Sequence, residues 1–162
     1  MSNRRKFMQT TALAGLGMSM IHSNLFAGIM NQEIPYKMTP LRNNVGFFTE
    51  KGGTIAWMIS KEGLVVVDTQ FPEQAQHLIE AIKKQSGRQV DLLINTHHHG
   101  DHTGGNITFK GHIGKLLAHE NSKKNQMRVA EANNTSAAQL YPDTLFTKEW
   151  SEKVGEETIS LK

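Results

Sequence analysis

A run of seven residues, Thr96–His102, constrains this chain more than any other feature of its sequence. It follows a short apolar segment, 90–94, that is typical of a buried strand. Imidazole and carboxylate groups are ligands suited to zinc. Five such groups occur within six residues, and the candidate ligands among them are His97, His99, Asp101 and His102. The alternative, a histidine-rich loop without a role or a stray affinity tag, is disfavoured because the run is internal and is interrupted by Gly-Asp. The run therefore predicts a metal site at the end of a strand.

The spacing within the run also favours a shared centre. In extended backbone, residues 97, 99 and 101 project to one side. A turn at Gly100, which has no side chain to obstruct it, would let His102 reach the same centre. Gly104 and Gly105 then allow close approach of the backbone before the next segment. We expect the four side chains to converge on one side of a loop.

Strands and helices alternate around this loop. Leu64–Val67 is a solid apolar run, which indicates a strand buried on both faces. Pro72 and Gly87 mark the expected start and end of a helix. The other expected elements are strands at 45–49, 54–60, 90–94, 115–118 and 157–161, a helix at 122–132 and a loop at 133–143. The pattern predicts an α/β fold (α+β in some schemes), with ligands at the carboxyl ends of strands.

Charge and cysteine content exclude some classes of function. The net charge is +3, but Arg4, Arg5 and Lys6 are the only charged residues before Glu33. Without these three, basic and acidic residues are equal in number, so there is no electrostatic case for binding nucleic acid or an anionic membrane. The chain has no cysteine, which excludes disulfides, thiolate ligands and a cysteine nucleophile within these residues.

The first 27 residues are expected to be a signal peptide. The basic Arg4-Arg5-Lys6 head precedes a short, mildly apolar stretch that is too short to span a bilayer. The head resembles a twin-arginine signal, and cleavage after Ala27 is expected. A basic, frayed N-terminus is the alternative. Residues 28–43 are then a polar, proline-containing segment that leads into the domain.

The pattern His-x-His-x-Asp-His in the Thr96–His102 run resembles the signature loop of the metallo-β-lactamase superfamily. Gly53-Thr54, the strand end at 64–69 and residues 92–96 fall where that family places its first strands. His119-Glu120, after an apolar segment, is a further family feature. The resemblance covers residues 44–162.

The resemblance implies a four-layer αββα sandwich made of two βα halves. Residues 44–162 would supply about the first half, because the remaining metal ligands of the family come from the second. We therefore expect a truncated, weakly active or inactive fragment, with one face and one edge of its sheet uncovered.

The resemblance also implies the roles of individual residues. His97 and His99 would bind a first metal ion, and Asp101 and His102 a second. Asp101 would also orient the nucleophile, and Asp68 would steady the loop from outside the ligand set; a strand-end turn former is the alternative for Asp68. His99 favours zinc, because the diiron branch of the family carries glutamate there. The remaining histidines are not expected to be ligands: His98 at the variable position, His77 on a helix surface, His112 in a loop and His119 at a strand end.

The leading functional hypothesis is a hydrolase with two Zn²⁺ ions, which activate a hydroxide for attack on a carbonyl or phosphoryl centre. The substrate would be a small molecule: a β-lactam, lactone, thioester or phosphoester. A non-catalytic, exported metal-binding module is the alternative. A nuclease is disfavoured by the neutral charge of the mature chain. The expected location is the periplasm or another exported site, without a membrane anchor once the signal is removed.

Overall fold

The computed structural model describes residues 36–162, and the expected signal peptide lies outside the described residues. These residues form a seven-stranded sheet with strands in chain order, followed by a separate hairpin. The strands of the sheet are β1 (Lys37–Arg42), β2 (Val45–Glu50), β3 (Gly53–Ile59), β4 (Leu64–Val67), β5 (Val90–Asn95), β6 (Ile113–His119) and β7 (Thr144–Phe146). The hairpin is β8 (Trp150–Val154) and β9 (Glu157–Leu161), and the α-helices are α1 (Pro72–Ser86), α2 (Gly100–Thr103) and α3 (Glu120–Ala132). Two short 3-10 helices occupy Gly104–Phe109 and Ser136–Ala138.

The sheet changes character at β4. Strands β1 to β4 pair antiparallel, whereas β4 to β7 pair parallel. Parallel neighbours require crossover connections, and α1 and α3 lie within two of them. The carboxyl ends of β4, β5 and β6 therefore meet at one edge, where α/β folds place their ligands. The expected mixed α/β class is confirmed.

Both faces of the sheet bury apolar side chains. Leu64, Val65 and Val66 are each 3% exposed or less, as expected for a strand buried on both sides. One face packs on α1, through a cluster that includes Ile55, Trp57, Val66, Leu78, Ile82, Leu93 and Leu116. The other packs on β8 and β9, through a cluster that includes Met58, Val65, Leu92, Leu117, Val154 and Ile159. The expectation of a bare second face is therefore wrong where the hairpin covers it.

Helix α1 matches its predicted bounds. Pro72 occupies its first turn, and Gly87 closes it with φ 68°, donating its backbone N–H to the carbonyl oxygen of Lys83 at 3.0 Å. Glycine adopts this left-handed conformation without steric cost. Its buried stripe contains the expected side chains, namely Ala75, Leu78, Ile79 and Ile82. Among residues 36–162, no helix is both long and apolar enough to cross a membrane.

Three strands were not predicted. β1 contains Pro40, and proline is tolerated there because β1 lies at the edge of the sheet. β7 is three residues long, too short to show an alternating pattern. β8 reads Trp-Ser-Glu-Lys-Val, with charged residues that obscure its apolar positions.

The expected surface position of His77 is corrected by the structure. Its Nδ1 lies 2.9 Å from Oε2 of Glu50, a carboxylate on β2 that is 5% exposed. The imidazole also stacks on Tyr36, with ring centroids 5.6 Å apart. The sequence prediction was wrong because the partner is 27 residues away. His77 therefore connects helix α1 to the last residue of β2, next to the turn between β2 and β3.

This contact should make stability depend on pH. The hydrogen bond to Glu50 raises the pKa of His77 above its usual value; burial opposes this, and the charges of Glu50, Glu73 and Glu80 add to it. The stability that this contact adds is therefore fully present when the pH is below the unfolded-state pKa of His77. It is lost as the pH rises through the raised pKa of the folded state. We expect His77→Gln to cost about 0.5–1 kcal/mol at pH 5.5, discounted for solvent screening, and less at pH 8.5. Urea unfolding at both pH values measures this, and in a Glu50→Gln background the pH dependence should disappear.

Candidate metal centre

The loop that follows β5 places the predicted ligands at the carboxyl edge of the sheet. Residues 96–99 are non-helical, and the chain then turns through α2, which begins at Gly100. Thr103 stabilises this turn, because its backbone N–H and its hydroxyl both donate to the carbonyl oxygen of His99 at 3.0 Å. A Cβ at Gly100 would meet nothing within 4 Å. The turn therefore does not depend on a glycine at this position.

The four predicted donors are brought together in two pairs. Nε2 of His97 lies 3.0 Å from Nδ1 of His99. Nε2 of His102 lies 3.5 Å from Oδ2 of Asp101. The two pairs adjoin, because the rings of His97 and His102 have centroids 4.0 Å apart. The four side chains thus lie near one another on the loop, although within residues 36–162 no three such groups adopt the geometry of a complete metal site.

Asp68 organises the loop from the end of β4. Its Oδ1 accepts the backbone N–H of Thr96 at 2.8 Å, and its Oδ2 accepts the Thr96 hydroxyl at 2.7 Å. Oδ2 also lies 2.8 Å from Nδ1 of His102. A carboxylate can only accept hydrogen bonds, so Nδ1 of His102 carries a proton, and in a neutral imidazole Nε2 is then the nitrogen with the lone pair. Asp68 thus fixes the tautomer of His102.

The backbone at Asp68 is unusual. Asp68 has φ 67° and Gln70 has φ 53°, so two non-glycine residues here occupy the left-handed region. Such conformations persist only where the surroundings hold them, and they cluster at functional sites. Here the surroundings are hydrogen bonds from Thr69 N to the His102 carbonyl oxygen at 2.9 Å and from Gly105 N to the Gln70 carbonyl oxygen at 2.8 Å.

Close backbone approach explains the glycine after the loop. A Cβ at Gly105 would lie 2.6 Å from the carbonyl oxygen of Thr69 and 2.7 Å from Cβ of Ala75. Gly105 therefore lets the loop pack directly on the start of α1, as its sequence position suggested.

A cavity of about 450 Å³ opens beside Asp101 and His102. Its other walls are the β2–β3 turn and the segment before α1, and they comprise Lys51, Gly52, Gly53, Thr54, Gln70 and Phe71. Phe71 is exposed, and Lys51 is ion-paired with Glu73 at the rim. The cavity can admit a small molecule to the donor groups.

Two other histidines of the region have separate roles. The pKa of His98 is lowered, first by burial and then by electrostatic interaction with His99, His97 and Arg128. His119 caps α3: its Nδ1 accepts the backbone N–H of Asn121 at 3.1 Å, and its Nε2 donates to the Thr147 carbonyl oxygen at 2.9 Å. The prediction that His119 is a structural strand-end residue is confirmed.

Comparison with known proteins agrees with this fold and loop. Residues 49–160 match the family model described as the metallo-beta-lactamase superfamily. This match covers more than half of the chain, and the chain therefore belongs to the metallo-β-lactamase superfamily.

Two curated relatives are hydroxyacylglutathione hydrolases. The one from Nitrosococcus oceani is 46% identical over 44 residues, which are 26% of this chain and 17% of the relative. The mitochondrial one from Saccharomyces cerevisiae is 29% identical over 80 residues, which are 49% of this chain and 26% of the relative. The matches thus span about a quarter or less of these relatives' length.

Solved structures show the same fold at low identity. A metallo-beta-lactamase from Pontibacter korlensis superimposes with a TM-score of 0.61 at 20% identity. The metallo-beta-lactamase IND-7 superimposes with a TM-score of 0.57 at 19% identity. Each superposition covers 78% of this chain and 59% of the other.

Proposed function

We propose that this chain carries the metal-binding loop of a zinc-dependent hydrolase that acts on small molecules. One observation carries the proposal: the donor atoms form two adjoining pairs, His97 with His99 and Asp101 with His102, and Asp68 fixes the tautomer of His102. Metal-ligating histidines typically donate their second ring N–H to such a carboxylate.

The donor set fits zinc. Two nitrogens on one tetrahedral zinc ion, each bonded at ~2.0–2.1 Å, are about 3.3 Å apart. The 3.0 Å between His97 Nε2 and His99 Nδ1 is close to this spacing. Imidazole and carboxylate ligands without thiolate are typical of catalytic zinc sites, and the chain has no cysteine.

Each residue then has a distinct role. His97 and His99 would hold one ion, and Asp101 and His102 a second. Zinc supplies an acidified water molecule near neutral pH and polarises the bond to be cleaved. The side chain of Asp101 is 63% exposed, so it can orient the attacking water and accept its proton. Asp68 keeps Nε2 of His102 free to bind metal.

The cavity beside Asp101 and His102 suits a small molecule that carries an apolar group. Its exposed aromatic ring, Phe71, can pack on such a group. The relatives named hydroxyacylglutathione hydrolases make an acylated glutathione the first substrate to test.

The test is hydrolysis by the zinc-loaded chain of four substrates: S-lactoylglutathione, a β-lactam, an acyl homoserine lactone and a phosphodiester. In keeping with the expectation of a weakly active chain, we expect slow, zinc-dependent turnover of the thioester, abolished by a chelator and restored by added zinc. Turnover of only one of the other three substrates would change the substrate class. Tight zinc binding without any turnover would favour the non-catalytic metal-binding module.

We also propose export through the twin-arginine pathway, on the basis of Arg4, Arg5 and the short apolar stretch that follows. Replacing both arginines with lysine keeps the charge but removes the guanidinium groups. In a bacterial host, this variant should remain in the cytoplasm as the precursor. Undiminished periplasmic protein on cell fractionation would contradict this route.

A further inference from the structure

Beneath the metal-binding loop lies a pair of buried side-chain amides that the proposed chemistry does not use. Asn95 ends β5 and Asn106 lies in the first 3-10 helix; they are 2% and 1% exposed. Nδ2 of Asn106 donates to Oδ1 of Asn95 at 2.8 Å, and Nδ2 of Asn95 donates to Oδ1 of Asn106 at 3.0 Å. These two reciprocal hydrogen bonds, the amide pair, join the residues on either side of the loop 96–105.

The amide pair is linked to the ligands through Thr69, which is fully buried. Oγ1 of Thr69 lies 3.2 Å from Oδ1 of Asn106 and 3.1 Å from the carbonyl oxygen of His102. Its single hydrogen is therefore shared between the amide pair and the backbone of a proposed ligand.

The amide pair also makes two hydrogen bonds to other residues. Nδ2 of Asn106 donates to the Leu140 carbonyl oxygen at 3.2 Å, and Nε2 of Gln126 donates to Oδ1 of Asn95 at 3.3 Å. A buried network in which each polar atom has a partner favours one arrangement, because other arrangements break these hydrogen bonds. An apolar pair of similar volume would fill the space without this selectivity.

We propose that the amide pair Asn95–Asn106 presets the loop, so that the four donor side chains are already gathered before metal arrives. The inference rests on the proposed metal site. Asn95 and Asn106 are positioning residues: they touch neither metal nor substrate, and they act through Thr69 and the loop backbone. Presetting raises metal affinity because less ordering of the loop remains to be done on binding.

The test separates presetting from fold stabilisation. In the full chain, Asn106→Leu leaves the buried Nδ2 of Asn95 without its acceptor and should lower the melting temperature. The double variant Asn95→Leu/Asn106→Leu pairs two apolar groups and should recover much of that loss. Its zinc affinity, measured by competition with a chelating dye, should stay at least about tenfold below wild type, as for other residues that orient ligands from outside the ligand set.

Two further measurements exclude a merely structural role. With Co²⁺ in place of zinc, the double variant should show an altered visible absorption spectrum, which reports ligand geometry. Without metal, its loop amides at 97–105 should exchange with solvent at least about tenfold faster than in wild type. The control is Ile82→Ala, a core substitution near the end of α1, which should lower the melting temperature and leave zinc affinity within about twofold.

The outcomes distinguish the two proposals. If wild type binds zinc and the double variant binds it equally well with an unchanged Co²⁺ spectrum, presetting is overturned and the metal site stands. If wild type binds no zinc, the proposed function fails, and presetting of a metal loop fails with it.

Discussion

Replacing His97 with alanine should remove both bound zinc and catalysis. Its Nε2 is paired with Nδ1 of His99 at 3.0 Å, and its ring adjoins that of His102, so its loss affects both proposed ions. Loss of an activated water and a polarised substrate costs several kcal/mol, which corresponds to about a thousandfold or more in turnover. Elemental analysis should find less than one zinc ion per chain, and thioester hydrolysis should fall to background.

The matched control is His98→Ala, one residue further along the same loop. His98 is not in either donor pair, so this variant should retain its zinc and hydrolyse the thioester within about threefold of wild type. Equal zinc loss in the two variants would indicate that the loop binds metal through a different set of histidines. Retention of zinc and turnover in His97→Ala would remove His97 from the ligand set.

Asp68→Asn should weaken the second metal position through a change of tautomer. Asparagine keeps the size of the side chain and, like aspartate, tolerates the left-handed backbone at φ 67°. If its amide nitrogen takes the place of Oδ2, Nδ1 of His102 must accept instead of donate. The proton then moves to Nε2, which can no longer bind metal. The expected loss of affinity for the second ion is about 10–100-fold.

Zinc titration should show one tight and one weakened site in Asp68→Asn, and nitrogen chemical shifts should report the protonated Nε2 of His102. Asp91→Asn is the matched control. Asp91 lies at the opposite end of β5, and its Oδ2 accepts the backbone N–H of Leu64 at 2.8 Å. It should lose some stability but keep both zinc sites. If the two variants behave alike, Asp68 is only a structural turn residue.

The elements that the sequence predicted best are those whose signals are local. The bounds of α1 and β4 followed from Pro72, Gly87 and the unbroken Leu64–Val67 run. β1, β7 and β8 were not predicted from the sequence, because their strand conformation depends on pairing with other strands. β1 contains Pro40 and pairs only with β2 at the edge of the sheet, and β8 pairs with β9. The sequence did not show that the second face of the sheet is covered, because nothing in it indicates that the β8–β9 hairpin packs against that face.

The candidate site shows the same division. The four candidate donors lie within six residues, so their spacing in the sequence alone indicated a shared site. The hydrogen bond from His102 to Asp68 spans 34 residues, and only a family resemblance assigned Asp68 a role. The amide pair Asn95–Asn106 was not predicted, because asparagines usually indicate turns and two of them in a core have no periodic pattern. His77 was misplaced on the surface because its partner Glu50 lies on another strand.

The parallel pairing of β4 with β5 has a consequence for how the chain folds. The β1–β4 meander joins neighbours through short turns, whereas β4 can meet β5 only after the whole of α1 has been ordered between them. Closing such a long connection is slow compared with closing a hairpin. Asp68 precedes this connection and His102 follows it, so the hydrogen bond that fixes the tautomer of His102 cannot form until β4 and β5 have paired. Zinc capture should therefore be a late kinetic phase on refolding. It should follow the burial of Trp57, a β3 residue in the core cluster that includes residues of α1.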